Sequence, residues 1–515
     1  MSTRPHLVRE RDAQVAPISP VHPTAGRRAP VWVLTVYLLC ALAYFALFLV
    51  AIRDADRELL QALTIAPILV GLTIPIALRM ARTERDATLF SIVMAGLVLK
   101  LVTAVVRFYI AFDVYGGFTD ALGYHLAGKS LAPDYRQLIF TTDAGGAAGT
   151  KFVNILTGVT YAIFGTSRIV GFLVFAWVGF LGLLLLARAF RIGVPNGDGR
   201  RYLILCLFLP SLLYWPSAIG KEAWMLLAIG LAAYGMAGIS QRRARGTLAL
   251  LGGIAAMLPV RPHVALVVCV ALVFALLVRR VPAHSYAAPM FRVLGLALLL
   301  VLGLFLMART ESFLGPKLTA EGIVAQIEAT SERTSEAGSA FTPVTVKTPL
   351  DMPLATVTVL FRPFPFEASN LQALLTAAES VVLLALVVGA RQRLRSIPRL
   401  VRTNLYVAFS TGFLLAFVFA FSGFANFGVL ARQRVQVLPF VLVFLAIPRF
   451  QDLVSATTGE VRASSDGAGT PHRTAGPPGG VRRRSRRPYV DPQPRVAVSS
   501  APPGSPVTAP PRRGR

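Results

Sequence analysis

The stretch LPSLLYWPSAIGKEAWMLLAIGLAAYG, residues 209–235, decides the fold class. It is apolar almost throughout, and its only charges are Lys221 and Glu222, side by side. A bilayer core of ~30 Å asks for ~20 apolar residues per helix, and the run from Ala218 to Ile239 supplies them. Pro216 and Gly220 flank the charged pair. Broken backbone at membrane depth is tolerated where it lines a cavity or is buried in protein. Lys221 then falls in the first turn of a helix, where the helix dipole opposes a cation. It requires an anionic partner, and two readings stand side by side: a structural ion pair holding helix ends together, or a ligand phosphate.

Composition extends the reading to the whole chain. Of 515 residues 55% are hydrophobic and 15% charged, with a mean hydropathy of +0.62. A soluble domain cannot cover that much apolar surface, so the chain is expected to be an all-α, polytopic integral membrane protein. The net charge is +27, and 46 of the 52 basic residues are Arg. With abundant Ala, Gly and Pro, this points to a GC-rich, actinobacterial genome. Cys40, Cys206 and Cys269 lie in apolar runs and offer neither a disulfide framework nor metal spacing. No cleavable signal peptide is expected, because the first apolar run is long enough to span.

Three regions follow. Residues 1–30 read as a disordered cytoplasmic tail, 31–450 as the transmembrane domain, and 451–515 as a disordered Pro/Arg-rich cytoplasmic tail carrying RRRSRR at 482–487. The basic tail suits anionic lipid or a cytoplasmic partner, or serves only as a solubilising tail. No nucleic-acid partner is expected, since no folded reader accompanies it.

Twelve spans are expected: 31–52, 60–78, 88–112, 168–189, 202–216, 218–239, 247–260, 263–278, 291–308, 369–390, 403–424 and 435–449. The excess of Arg on cytoplasmic loops tests that count. With Arg27 and Arg28 inside, the other Arg-dense loops fall on the same side: Arg79 to Arg85, Arg188 to Arg201, Arg242 to Arg245, Arg279 and Arg280, and Arg391 to Arg402. Both termini are then cytoplasmic in the plasma membrane. Loops 113–167 and 309–368 face outside, provided that KFVNILTGVTYAIFG, 151–165, is a helix in the outer interface and does not cross.

The topology collects the remaining charges on that outer side. They are Asp113, Asp120, His125, Lys129, Asp134, Arg136, Asp143 and Lys151 in the first loop, Lys221 and Glu222, Arg261 and His263 in the turn VRPH (260–263), Arg362 and Glu367 in FRPFPFE (361–367), and Arg432 and Arg434. Charges at membrane depth cost at least ~2.5–3.5 kcal/mol each, so they pair or serve a function. Asp120 and Tyr124, four apart, share a helix face. Arg261 is a planar, forked donor suited to phosphate, or an interfacial Arg that snorkels. His125 alone is more often a hydrogen-bonding residue than a zinc ligand. DAGGAAGT, 143–150, lacks the GK[ST] of a nucleotide loop. Lys100 and Glu379 fall inside spans, and packed-interior roles suit them better than a mutual pair. No cofactor is required, although a divalent cation would be compatible with phosphate chemistry.

A family resemblance rests on these segments. DVYGGFTDALGYHLAG, 113–128, follows a membrane helix and precedes an interfacial segment ending in IFG, 163–165. This is similar to the first outer loop of the GT-C class of polytopic glycosyltransferases. RQRVQVLP, 432–439, resembles bacterial polysaccharide polymerases related to that class, and the opening stretch looks like a group of actinobacterial membrane proteins. The resemblance covers roughly residues 88–280. Two spans precede the loop helix here, and the large soluble C-terminal domain of some members is absent.

The resemblance implies a GT-C-like fold and a cell-envelope glycosyltransferase or polysaccharide polymerase. Its donor would be a polyprenyl-phosphate-linked sugar, and its acceptor a glycan. Asp120 matches the loop acid that acts as base, with Asp113 as runner-up. Tyr124, His125, Lys129, Lys151, Lys221, Glu222, Arg261, His263, Arg362, Arg432 and Arg434 make up the expected binding set. A lipid-linked glycan transporter and a scaffold in envelope assembly are the competing readings. Concentration of charge at one face, rather than at the midplane, speaks against the transporter.

Overall fold

The computed structural model describes residues 31–279, 287–314, 341–368 and 370–453. Nearly all of the two expected tails, the Arg cluster at 482–487, and residues 315–340 of the second expected outer loop lie outside the described residues.

Among the described residues the protein is all-α, with no strand. In chain order the helices are α1 Val31–Arg53, α2 Arg57–Glu84, α3 Thr88–Tyr109, α4 Asp120–Arg136, α5 Ala148–Phe164, α6 Arg168–Gly193, α7 Gly199–Phe208, α8 Pro210–Tyr214, α9 Lys221–Ser240 and α10 Ala244–Met257. They continue with α11 Pro262–Val278, α12 Ala287–Leu314, α13 Met352–Phe361, α14 Leu371–Gly389, α15 Arg391–Leu394, α16 Ile397–Thr403, α17 Leu405–Phe421, α18 Phe427–Arg434 and α19 Leu438–Ala446. A π-helical turn, Ile110–Val114, extends α3. Five helices are long and apolar enough to cross a membrane: α2, α3 with its extension, α6, α9 and α14. Counting two bent pairs as one span each gives seven.

The expected spans depart from this in instructive ways. The span at 202–216 is broken: Leu209 is extended (φ −69°, ψ 124°) and Pro210 opens α8 as a separate five-residue helix. Pro lacks the N–H that would continue the ladder and disfavours helical geometry in the residue before it. The span at 403–424 begins with a bend of 114° between α16 and α17, where the Asn404 side chain accepts from Tyr406 N and Val407 N and starts a new helix. The segment 435–449 belongs to a second bent pair, α18 and α19, at 55°. The expected non-crossing segment 151–165 falls on the amphipathic α5, which ends at Phe164 with Gly165 as its cap.

The core is α6, buried along most of its length, packed against α9, which packs in turn on α10. Glycine makes the first contact close. A Cβ on Gly182 would sit 2.5 Å from the Leu226 carbonyl oxygen, and one on Gly230 would sit 2.5 Å from that of Gly182. Small residues that let helix backbones approach are a usual device where lipid provides no hydrophobic drive between helices. The rigid α6–α9 pair fixes the position of Lys221 and Glu222 at the start of α9.

The short α8 is held by three ionisable side chains. Glu379 Oε2 accepts from Ser211 N (2.9 Å) and Ser211 Oγ (2.6 Å) at its N-terminus. Lys100 Nζ donates to Leu212 O (2.8 Å) and Leu213 O (2.9 Å), and Arg107 Nη1 donates to Tyr214 O (3.1 Å). An isolated turn leaves its N–H and C=O groups without partners, which apolar surroundings penalise. An acceptor oxygen at its N-terminal end and N–H donors at its C-terminal end meet that need. Lys100 and Glu379 do not pair with each other; they grip opposite ends of one helical turn.

Candidate functional site

A chamber of about 640 Å³ opens where the π turn after α3, the start of α4, the 214–219 turn, the start of α9 and α18 meet. Its wall includes Arg107, Asp120, Glu222 and Arg432 together with Tyr115, Phe118, Tyr214, Trp215 and Gln372. Beside it runs a groove of about 690 Å³ with a mostly apolar wall, among them Val114, Leu371, Leu375 and Val382, and with Glu379 at its side. Chamber and groove share Ile110, Tyr115, Tyr214, Trp215 and Gln372.

The ionic core is a chain of four groups drawn from four segments distant in sequence. Arg432 Nη1 donates to Asp120 Oδ2 at 2.9 Å, and its Nε donates to Glu222 Oε1 at 2.7 Å. Arg261 Nη2 donates to that same Glu222 oxygen at 2.8 Å. The Glu222 side chain is only 4% exposed, and the Asp120 side chain is 60% exposed. Asp120 is the first residue of α4, and its Oδ1 has no partner among the described residues. The contact with Arg432 is therefore single, not forked, and leaves lone pairs open to the chamber. Lys221, first residue of α9, is half-buried and makes no hydrogen bond or ion pair among the described residues. Glu222 does not pair with its neighbour Lys221 but with two guanidiniums from elsewhere. The local group of Arg107, Lys221, Arg261 and Arg432 against Asp120 and Glu222 thus carries two more cations than anions.

No family model, curated protein or solved structure matches this chain. Geometry alone therefore sorts the remaining expected site residues.

Asp113 is exposed on the π turn and is not part of the chamber wall. Tyr124 is buried one turn along from Asp120; burial, then the Asp120 charge, raises its phenol above the ordinary value. His125 is turned inward, with Nδ1 2.8 Å from the Tyr161 hydroxyl. Burial first, then the charge of Arg168, push it down to about 4, so it is neutral at pH 7. Lys129 is exposed further along α4, and Lys151 stands 3.6 Å from Asp143 on a solvent-facing surface. None of these lines the chamber. His263 is half-buried on α11, its ring tilted against Phe421 at 6.1 Å, with Nδ1 unpartnered among the described residues.

Two Arg residues expected at an anion site are committed elsewhere. Arg362 pairs with Glu367 through Nε at 3.0 and 3.1 Å and through Nη2, donates to Thr342 O at 3.0 Å, and stacks over Phe341 at 4.3 Å. Burial opposes the charged form of Glu367, but the Arg362 hydrogen bonds and the Phe364 N–H outweigh it and hold its carboxyl below the usual range. Arg434 is fully buried and donates Nη1 to Leu360 O (2.7 Å) and Arg362 O (3.0 Å), fastening the end of α13. Both are fixed by the fold, and neither lines the chamber.

Sequence reasoning passed over Arg107, Tyr115, Tyr214, Trp215 and Gln372. Arg107 lies over the Tyr214 ring at 4.5 Å and the Trp215 ring at 5.0 Å. Tyr115 donates to Gln372 at 3.0 Å across the wall shared by the two cavities. The available signal was Arg107 at the end of an apolar run, with Tyr-Trp just before a helix break. Among the described residues no group of three or more His, Cys, Asp or Glu side chains is placed to hold a metal ion.

Proposed function

We propose that this chain is a cell-envelope glycosyltransferase that takes sugar from a polyprenyl-phosphate carrier at the outer face of the plasma membrane. The observation that carries the reading is a chamber with two guanidiniums in its wall, Arg107 and Arg432, lying against an apolar groove with a common wall. A lipid-linked sugar has that same division. Its isoprenoid chain suits the groove, and its phosphate and sugar suit the chamber. The Arg107 and Arg432 guanidiniums at the chamber wall complement a phosphate.

The chemistry follows from the groups present. Asp120 accepts the proton of an acceptor hydroxyl on a glycan. That oxygen forms a bond to the anomeric carbon as the bond from carbon to phosphate oxygen breaks. The lipid phosphate leaves with the electron pair, and a guanidinium such as Arg432 stabilises the charge that develops. The twelve-span, GT-C-like architecture and the outward placement of the chamber belong to the same proposal, supported by the Arg distribution along the chain.

The test is Asp120→Asn, which keeps the side chain's size and removes its basicity. It is expected to abolish the envelope glycan product at normal protein abundance and unchanged melting temperature. A normal glycan profile from well-expressed Asp120→Asn would remove this residue from the chemistry and leave the enzymatic reading without a base.

A further inference from the structure

We propose that the anion subsite of the chamber is formed by Arg107 and Arg432, and that the Asp120 carboxylate competes with a ligand anion for part of it. This rests on the reading that a lipid phosphate enters the chamber, and it assigns the entering group a competitor built into the fold.

Of the four cations in the cluster, only Arg107 and Arg432 belong to the chamber wall. Arg261 stands behind Glu222 as a buttress, buried, with one guanidinium nitrogen on the carboxylate. Arg107, near the end of α3, lines the same chamber. Its guanidinium is fixed by the Tyr214 carbonyl at 3.1 Å and by two aromatic rings. Among the described residues no carboxylate pairs with it. A guanidinium held rigidly at a cavity wall, with N–H groups left over and no counter-ion, is a preorganised anion donor.

Arg432 divides its hydrogen bonds unequally. The bond to Glu222 is buried and shared with Arg261. Breaking it would leave a charge in apolar surroundings without its partner, which is costly. The bond to Asp120 lies at the chamber, where the carboxylate is 60% exposed. An exposed ion pair contributes little and is screened by water. A phosphate reaching Arg432 therefore displaces Asp120 and leaves Glu222 in place. The displaced carboxylate is then free for an acceptor hydroxyl. The consequence is an order: the lipid phosphate binds first, and its binding releases the base.

The experiment is titration calorimetry of geranylgeranyl monophosphate into the purified full chain in detergent. Asp120→Asn should bind two- to fivefold tighter than wild type, the range that release of an exposed ion pair supports. Asp120→Ala should do the same. Asp113→Asn removes a nearby charge that touches neither Arg and should leave the affinity unchanged. Arg107→Gln and Arg432→Lys should each weaken binding at least tenfold. Equal or weaker binding by both Asp120 variants overturns the place-holder, as does equal tightening by Asp113→Asn, which would mark a general charge effect. Wild-type affinity in Arg107→Gln overturns the two-Arg subsite. In all three cases the lipid-phosphate reading survives, because the wild type still binds. If wild type does not bind the probe at all, that reading falls as well.

Discussion

Glu222→Gln should destabilise the protein far more than the size of the change suggests. Glu222 Oε1 accepts from two guanidiniums, Arg432 at 2.7 Å and Arg261 at 2.8 Å, and the side chain is 4% exposed. Glutamine keeps an acceptor oxygen in place but removes the charge. Both bonds stay charge-assisted through their guanidinium donors, so the loss lies chiefly in the missing counter-charge. Two neighbouring guanidiniums left without their shared counter-ion raise the cost towards the ~3–5 kcal/mol typical of a broken buried pair. The assay is thermal or denaturant unfolding of the full chain in detergent. Glu222→Gln combined with Arg261→Gln should recover part of the loss, since the second change removes one of the stranded cations. A coupling of about 0.5–3 kcal/mol is expected for residues in contact. Wild-type stability in the single variant, or strict additivity in the pair, would refute the view that Glu222 is the hub of the cluster.

Two further outcomes are expected. His125 is held down to about 4, against an ordinary value of 6.5, so between those limits the unfolded chain binds a proton that the folded one does not. Stability therefore rises with pH across that window and is lost as pH falls through it. The slope should flatten in His125→Asn, and an unchanged difference between variant and wild type from pH 4 to 7 would contradict the buried neutral imidazole. For topology, cysteines replacing Ser130 and Ser335 should react with an impermeant maleimide in intact cells, while one replacing Ser464 should not. The reverse pattern would put the chamber on the cytoplasmic side.

Much of the helical plan was legible because apolar runs are long and their ends are marked by Arg. What failed was continuity. An apolar run from 202 to 216 contains one local reason to break in its interior, Pro210, and the side chains that make the break tolerable, Lys100, Arg107 and Glu379, come from helices distant in sequence. The bend at Asn404 is likewise set by a side-chain cap inside an otherwise apolar stretch. The site shows the same division. The charges between apolar runs were countable, and Asp120, Glu222, Arg261 and Arg432 do converge. Sequence cannot say which cations are already spent. Arg434 donates Nη1 to carbonyls and Arg362 pairs with a carboxylate five residues on, and neither lines the chamber. Arg107 was visible but looked like a residue at a helix end, because the rings that hold it lie more than a hundred positions away.

The most direct test of the central claim is where a lipid phosphate sits on the intact protein. A polyprenyl monophosphate carrying a photoreactive group on its isoprenoid chain, mixed with the full chain in detergent and irradiated, should label the apolar groove at Leu375 or Val382. An excess of unlabelled polyprenyl monophosphate should suppress that labelling, and Leu375→Trp, which fills the groove, should reduce it. Labelling spread evenly over the lipid-facing helices, unaffected by competitor or by Leu375→Trp, would contradict the account.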